Sequence, residues 1–123
     1  MSIEKTKKIL AVVADLFFTV KIHEAAKRTG FTVEFVKSET DALLKAAEQP
    51  AMIVLDLNFA GVESAKLIGA LKSGAATKAI PLVGYLSHVQ AELKREAQRA
   101  GCDVVLAKSA FSQHLPQLLK RHA

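Results

Sequence analysis

Five short strand-like segments alternate with stretches of helical spacing along the 123 residues of this chain. This alternation constrains the fold more than any other feature of the sequence. Four segments are apolar runs and one alternates as TVEFVK, and all five read as strands. The predicted strands cover residues 8–13, 32–37, 51–55, 80–86 and 103–107.

Helical spacing of apolar residues fills the intervals between these strands. Helices are predicted from Phe18 to near Gly30, from Ser38 to about Glu48, over 64–72 and 91–100, and in a last segment marked by Phe111, Leu115, Leu118 and Leu119. Ala65, Ile68 and Leu71 should be the inward residues of the third helix. Pro116 falls inside the last helix, which must then either begin late, with this proline in its first turn, or be kinked.

Strands that alternate with helices, and that are apolar on both faces, are typical of a parallel sheet covered on two sides. We therefore expect one α/β domain over residues 1–123, a doubly wound three-layer α/β/α sandwich. In such folds the functional site lies at the carboxyl ends of the strands.

The composition of the chain argues against several classes of protein. The formal net charge is +5, but aromatic residues are not interleaved with the basic ones, so a solvated surface is favoured over nucleic-acid binding. No apolar stretch approaches the length of a membrane span. The only cysteine, Cys102, excludes an internal disulfide and is expected to be buried. We expect a soluble cytoplasmic protein.

Three charged residues follow predicted strands at the same edge of the sheet: Asp15, Asp56 and Lys108. Two neighbouring carboxylates repel each other and favour a shared proton or a divalent cation such as Mg²⁺. A lysine beside them can neutralise a bound anion. The trio therefore predicts a site for a phosphoryl group on a carboxylate, although Asp15 alone is also a good helix N-cap.

Other catalytic patterns are weak. The four histidines lack metal-ligand spacing, and Ser87 and His88 have no acid partner that would make a hydrolase triad. Asp56-Leu57-Asn58 loosely resembles the nucleophile motif of haloacid-dehalogenase-like phosphatases, but that motif belongs after the first strand of its sheet. We expect a signalling protein and not an enzyme.

The stretches IVLDLNFAG and AGCDVVLAKSAF resemble the receiver domain of bacterial response regulators, and the resemblance covers nearly the whole chain. It implies a flavodoxin-like fold with strand order 2-1-3-4-5. It also implies that Asp56 accepts a phosphoryl group, that Lys108 neutralises it, and that Mg²⁺ is bound by Asp15, Asp56 and the backbone carbonyl of Asn58. The implied phosphodonor partner is a histidine kinase or phosphotransfer protein.

The chain departs from the family pattern at several positions. Ala14 replaces one acid of the usual pair, so Mg²⁺ should bind weakly. Leu86 stands where a Thr or Ser normally ends the fourth strand, with the nearest hydroxyl one residue later at Ser87. The remaining departures are Val105 at the switch aromatic, Ser109 at the proline after the lysine, and Ala60 at the loop proline.

Two classes of function stay open. The first is a single-domain receiver in a phosphorelay that is phosphorylated on Asp56, with Ser87 as a substitute switch hydroxyl. The second is a pseudo-receiver that works as a phosphorylation-independent interaction module. With no effector domain in the sequence, either class is expected to signal through a downstream partner protein, and a homodimer also stays open. The exposed ring of Phe17 is one candidate contact for such a partner.

Overall fold

The computed structural model describes residues 7–87 and 90–121. It contains five strands, β1 (Lys8–Val12), β2 (Thr32–Val36), β3 (Met52–Asp56), β4 (Leu82–Leu86) and β5 (Val104–Ala107). The five helices are α1 (Leu16–Thr29), α2 (Glu39–Ala46), α3 (Ser64–Ser73), α4 (Ala91–Ala100) and α5 (Lys108–Arg121). The predicted alternation of five strands and five helices is confirmed.

All neighbouring strands pair in parallel, in the order β2-β1-β3-β4-β5. This is the flavodoxin-like order that the resemblance implied. One face of the sheet packs against α1 and α5, and the other packs against α2, α3 and α4. The three-layer sandwich is therefore confirmed, with an apolar core on each side of the sheet.

Local capping chemistry ends the helices where the sequence indicated. Gly30 and Gly101 adopt left-handed conformations, with φ of 84° and 115°, directly after α1 and α4. At the start of α2, the Ser38 side chain accepts a hydrogen bond from the Asp41 backbone N–H. This is half of the predicted capping box.

Some predicted details differ from the structure. Of the two possibilities for the last helix, the late start is excluded, because α5 begins at Lys108 and Pro116 lies in its interior and not in its first turn. Burial of Phe111 one turn after Lys108 anchors this early start. Helix α2 ends at Ala46, two residues before the predicted Glu48. Ala65 is exposed, and the adjacent Ser64 is buried with its hydroxyl donating to the Leu57 carbonyl.

Cys102 is buried, as predicted, and burial raises the pKa of its thiol to about 11. In the part of the chain that the structure describes, no helix combines the length and apolar character that crossing a membrane requires.

Candidate functional site

The carboxyl ends of β1, β3 and β5 bring the three predicted charged residues to one edge of the sheet. Asp56 is the last residue of β3, Asp15 follows β1 by three residues, and Lys108 directly follows β5 as the first residue of α5. The charges of Asp15 and Lys108 both act on the pKa of Asp56. The sequence-predicted trio is therefore close enough in space to interact electrostatically.

Asp56 is a buried carboxyl group with only 7% of its surface exposed. Burial raises its pKa, and the negative charge of Asp15 acts in the same direction. The hydrogen bond from the Asn58 backbone N–H, 2.9 Å from Oδ1, and the positive charge of Lys108 act in the opposite direction. The environment thus disfavours the carboxylate, although two neighbouring groups partly offset the cost.

Asp15 is the N-cap of α1. Its Oδ1 accepts a hydrogen bond of 3.0 Å from the backbone N–H of Phe18, so the N-cap interpretation is confirmed. Asp15 is also exposed and acts electrostatically on Asp56. One carboxylate can cap the helix through one oxygen and still present the other to the site.

Lys108 is half-buried, and its ammonium lies 5.9 Å from the centre of the Phe18 ring. Across residues 7–87 and 90–121, no carboxylate lies within 4.0 Å of this ammonium. Its positive charge nevertheless lowers the pKa of Asp56. The lysine therefore contributes a nearby charge without being tied into an ion pair.

The side chain of Asn58 joins two loops at the same edge. It donates a hydrogen bond of 2.7 Å to Gln90 Oε1 and accepts one of 3.0 Å from the Ser87 backbone N–H. Gln90 Oε1 also accepts from this N–H, at 3.2 Å. The loop after β4 is thereby held to the loop that follows Asp56. No local sequence pattern indicated Gln90, because its contact is made across two loops.

Ser87 and Leu86 occupy different environments at the end of β4. Leu86 is the last strand residue and is buried in the core beneath α2, α3 and α4, together with Val105. Ser87 lies just beyond the strand, so the alternation of side chains along β4 no longer determines its direction. His88, which was considered for the same pocket, lies outside the described residues.

The donor set at this edge fits a hard cation. Two carboxylates, Asp15 and Asp56, accompany the backbone carbonyl of Asn58, and within the described residues no hydrogen-bond donor occupies that carbonyl. Oxygen ligands of this kind, completed by water, suit Mg²⁺. Among residues 7–87 and 90–121 there is no cluster of three or more His, Cys, Asp or Glu that could hold a metal. The set thus contains two side-chain carboxylates, which fits weak binding of Mg²⁺.

A cluster of three aromatic rings lies under the site, and no local sequence pattern indicated it. The Tyr85 ring stacks against Phe18 and against Phe111, with ring centroids 4.6 and 4.7 Å apart, and the two phenylalanine rings lie 6.0 Å from each other. Its hydroxyl is buried and has no hydrogen-bond partner in the described part of the chain. The sequence feature that could have indicated Tyr85 is its position one residue before the end of β4, the strand next to β3.

No protein-family model and no curated protein matches the sequence. Solved structures do match in fold. The chemotaxis response regulator CheY4 of Vibrio cholerae is 22% identical and has a TM-score of 0.81, covering 97% of this chain and 100% of that chain. A response regulator from Hahella chejuensis is 19% identical with a TM-score of 0.83, covering 95% of each chain.

The receiver domain of a sensor histidine kinase from Pseudomonas aeruginosa is 18% identical and has a TM-score of 0.81, covering 94% of this chain and 96% of that chain. That structure has a magnesium ion coordinated in its active-site cleft. The strand order and the helix layers described above agree with the similarity to these solved structures. The chain has the fold of response-regulator receiver domains.

Proposed function

We propose that this chain is a receiver module of two-component signalling that accepts a phosphoryl group on Asp56. The main support for this proposal is the position of Asp56 at the end of the central strand β3, where the charges of Asp15 and Lys108 both act on it. Fold similarity to receiver domains supports the same function.

In the proposed transfer, an Asp56 carboxylate oxygen forms a bond to phosphorus and the phosphorus–nitrogen bond of a phosphohistidine breaks. The electron pair of that bond stays on the imidazole of the donor, a histidine kinase or phosphotransfer protein. The product is an acyl phosphate on Asp56. Its added negative charge lies beside Lys108, the cationic side chain whose charge already acts on Asp56.

Mg²⁺ would be held by Asp15, Asp56 and the Asn58 carbonyl, and when bound it supplies positive charge that offsets the phosphoryl oxygens. Asp15 would hold the ion while capping α1, and Asn58 would hold it while its side chain fixes the loop after β4. With Ala14 in place of a third acid, we propose that this binding is weak.

The test is incubation with a labelled phosphodonor, such as phosphoramidate, in the presence of Mg²⁺. We expect label in wild type and none in Asp56→Asn, which keeps the size of the side chain but removes the nucleophilic carboxylate. Asp41→Asn, which removes an exposed carboxylate on α2, should label like wild type. Equal labelling of Asp56→Asn and wild type would contradict the assignment of Asp56.

A second candidate is a pseudo-receiver that docks a partner protein without phosphorylation. Burial of Leu86 and Val105 in one apolar core favours it, because neither side chain can form the hydroxyl and aromatic switch of a receiver. Absence of label in wild type, with the fold intact by circular dichroism, would favour this candidate over the first.

A further inference from the structure

The hydroxyl of Tyr85 is an unusual group in this molecule. It is the only buried side-chain nitrogen or oxygen without a hydrogen-bond partner among residues 7–87 and 90–121. Tyr85 itself is 0% exposed. A buried donor without a partner lowers the stability of the folded protein, because the group has lost its hydrogen bonds to water.

Tyr85 lies beside Asp56 in the sheet. The two residues are register partners on β4 and β3. Side chains two apart on a strand point to the same face, and Met52 and Val54 pack in the same core as Tyr85. Asp56, two residues after Val54, therefore points toward the layer of α1 and α5 that contains the Tyr85 ring.

Both carboxylates of the site act on the Tyr85 phenol. Burial raises its pKa far above the usual range, and the charges of Asp56 and Asp15 raise it further. The hydroxyl is therefore protonated at neutral pH and available as a donor. Because the Tyr85 ring is packed against two phenylalanine rings, the position of its hydroxyl oxygen is restrained, while the O–H can still rotate toward an acceptor.

We propose, resting on the function proposed above, that the Tyr85 hydroxyl donates a hydrogen bond to the phosphoryl group on Asp56 and so replaces the missing switch hydroxyl. Phosphoryl oxygens are strong acceptors, and they would supply the partner that this donor lacks. Leu86, at the position of the usual hydroxyl, faces the opposite layer and can make no such bond.

The aromatic cluster connects this hydrogen bond to α1 and α5. Tyr85 stacks on Phe18 of α1 and Phe111 of α5. Phe18 also donates its backbone N–H to Asp15 and carries the Lys108 ammonium over its ring. A change in the position of the Tyr85 ring would therefore move residues of α1 and α5 first.

The test uses beryllofluoride with Mg²⁺ as the phosphoryl mimic and compares wild type with Tyr85→Phe and Ser87→Ala. Tyr85→Phe keeps the ring and its stacking but removes the hydroxyl, and its thermal midpoint should equal or exceed that of wild type. We expect Tyr85→Phe to bind the mimic about 10-fold more weakly, as for loss of a hydrogen bond to a charged group. Ser87→Ala should bind like wild type.

Spectroscopy of Tyr85 gives a second readout, because the chain contains one Tyr and no Trp. The mimic should shift the ¹³Cζ resonance of Tyr85 and the amides of α1 and α5 in wild type, and the amide shifts should be lost in Tyr85→Phe. Binding of the mimic with an unchanged Tyr85 resonance, or loss of binding in Ser87→Ala alone, would overturn the proposal for Tyr85 only. No binding and no phosphodonor label in wild type would overturn the proposed function as well.

Discussion

At Asp56, burial and neighbouring charges act in opposite directions on one carboxyl group. Burial and Asp15 favour the protonated form, whereas the Asn58 N–H and Lys108 favour the carboxylate. The net result is a raised pKa, which means that the ionised group is less stable in the folded chain than in the unfolded one. This environment lowers the stability of the unphosphorylated protein. It favours the binding of any group that offsets the negative charge of Asp56.

The first prediction concerns the pH dependence of stability. Because the folded pKa of Asp56 is raised, its ionisation lowers the free energy of unfolding above that pKa. This loss is relieved as pH falls through the folded pKa toward the unfolded value of about 3.9. Asp56→Asn should therefore stabilise the protein at pH 7 by on the order of 1 kcal/mol, with the gain shrinking toward pH 4.

Thermal denaturation of both proteins between pH 4 and pH 7 measures this difference. Asp41→Asn removes an exposed carboxylate from α2 and should show no gain. A gain for Asp56→Asn that does not depend on pH would mean that the charge of Asp56 is not its source.

The residues of the site differ in how far the sequence could identify them. Asp56, Asp15 and Lys108 follow predicted strands, and the strand-end rule is enough to place them together. Tyr85 could not be identified in this way, because one tyrosine in an apolar strand also fits an ordinary core. Its significance depends on the register of β3 and β4 and on an unpartnered hydroxyl, which only tertiary structure provides.

Among the secondary-structure elements, the start of α1 has two roles. It holds the N-cap of the helix, and it contributes a ligand to the proposed metal site. Asp15 caps the helix through Oδ1, and its charge acts on Asp56. An asparagine caps a helix about as well as an aspartate. The two roles can therefore be separated by comparing Asp15→Asn with Asp15→Ala.

The second prediction uses that pair of variants. Asp15→Asn should abolish the weak Mg²⁺ binding while keeping the thermal midpoint near that of wild type. Asp15→Ala should abolish Mg²⁺ binding and also destabilise the protein by about 1 kcal/mol through loss of the cap. Calorimetric titration with Mg²⁺ and thermal denaturation measure the two effects. Mg²⁺ binding that survives in Asp15→Asn would contradict the role of Asp15.

Element boundaries were predictable where local chemistry determines them. Gly30 and Gly101 end helices because their left-handed backbone suits glycine, and Ser38 begins α2 because its hydroxyl caps the first turn. The start of α5 was not predictable in this way. The helix begins directly after β5 and continues through Pro116, since packing of its apolar face outweighs the local cost of a proline.

At the scale of the whole molecule, the sheet separates two helix layers with different content near the site. The layer of α1 and α5 contains the aromatic cluster of Phe18, Tyr85 and Phe111, whereas the layer of α2, α3 and α4 contains Leu86 and Val105. Among residues 7–87 and 90–121, the first layer contains the buried hydroxyl without a hydrogen-bond partner, that of Tyr85, which we propose responds to a phosphoryl group on Asp56. This asymmetry distinguishes the chain from a receiver whose switch hydroxyl and aromatic act on the face of α4 and β5.

The third prediction follows from this asymmetry. Beryllofluoride should leave the amide chemical shifts of α4 and β5 largely unchanged, because Leu86 cannot donate a hydrogen bond and Val105 has no ring to reorient. Heteronuclear NMR spectra recorded with and without the mimic test this expectation. Large shifts over α4 and β5 that disappear in Ser87→Ala would show instead that Ser87 acts as the switch hydroxyl.

Phosphorylation of Asp56 can be tested by locating the label in the phosphodonor-treated protein. Trypsin should release residues 46–66 as one peptide, which contains Asp56 as its only aspartate. We expect the label to lie in this peptide and hydroxylamine to remove it, as expected for an acyl phosphate. Label in another peptide, or hydroxylamine-resistant label such as a phosphate ester on Ser64, would contradict it.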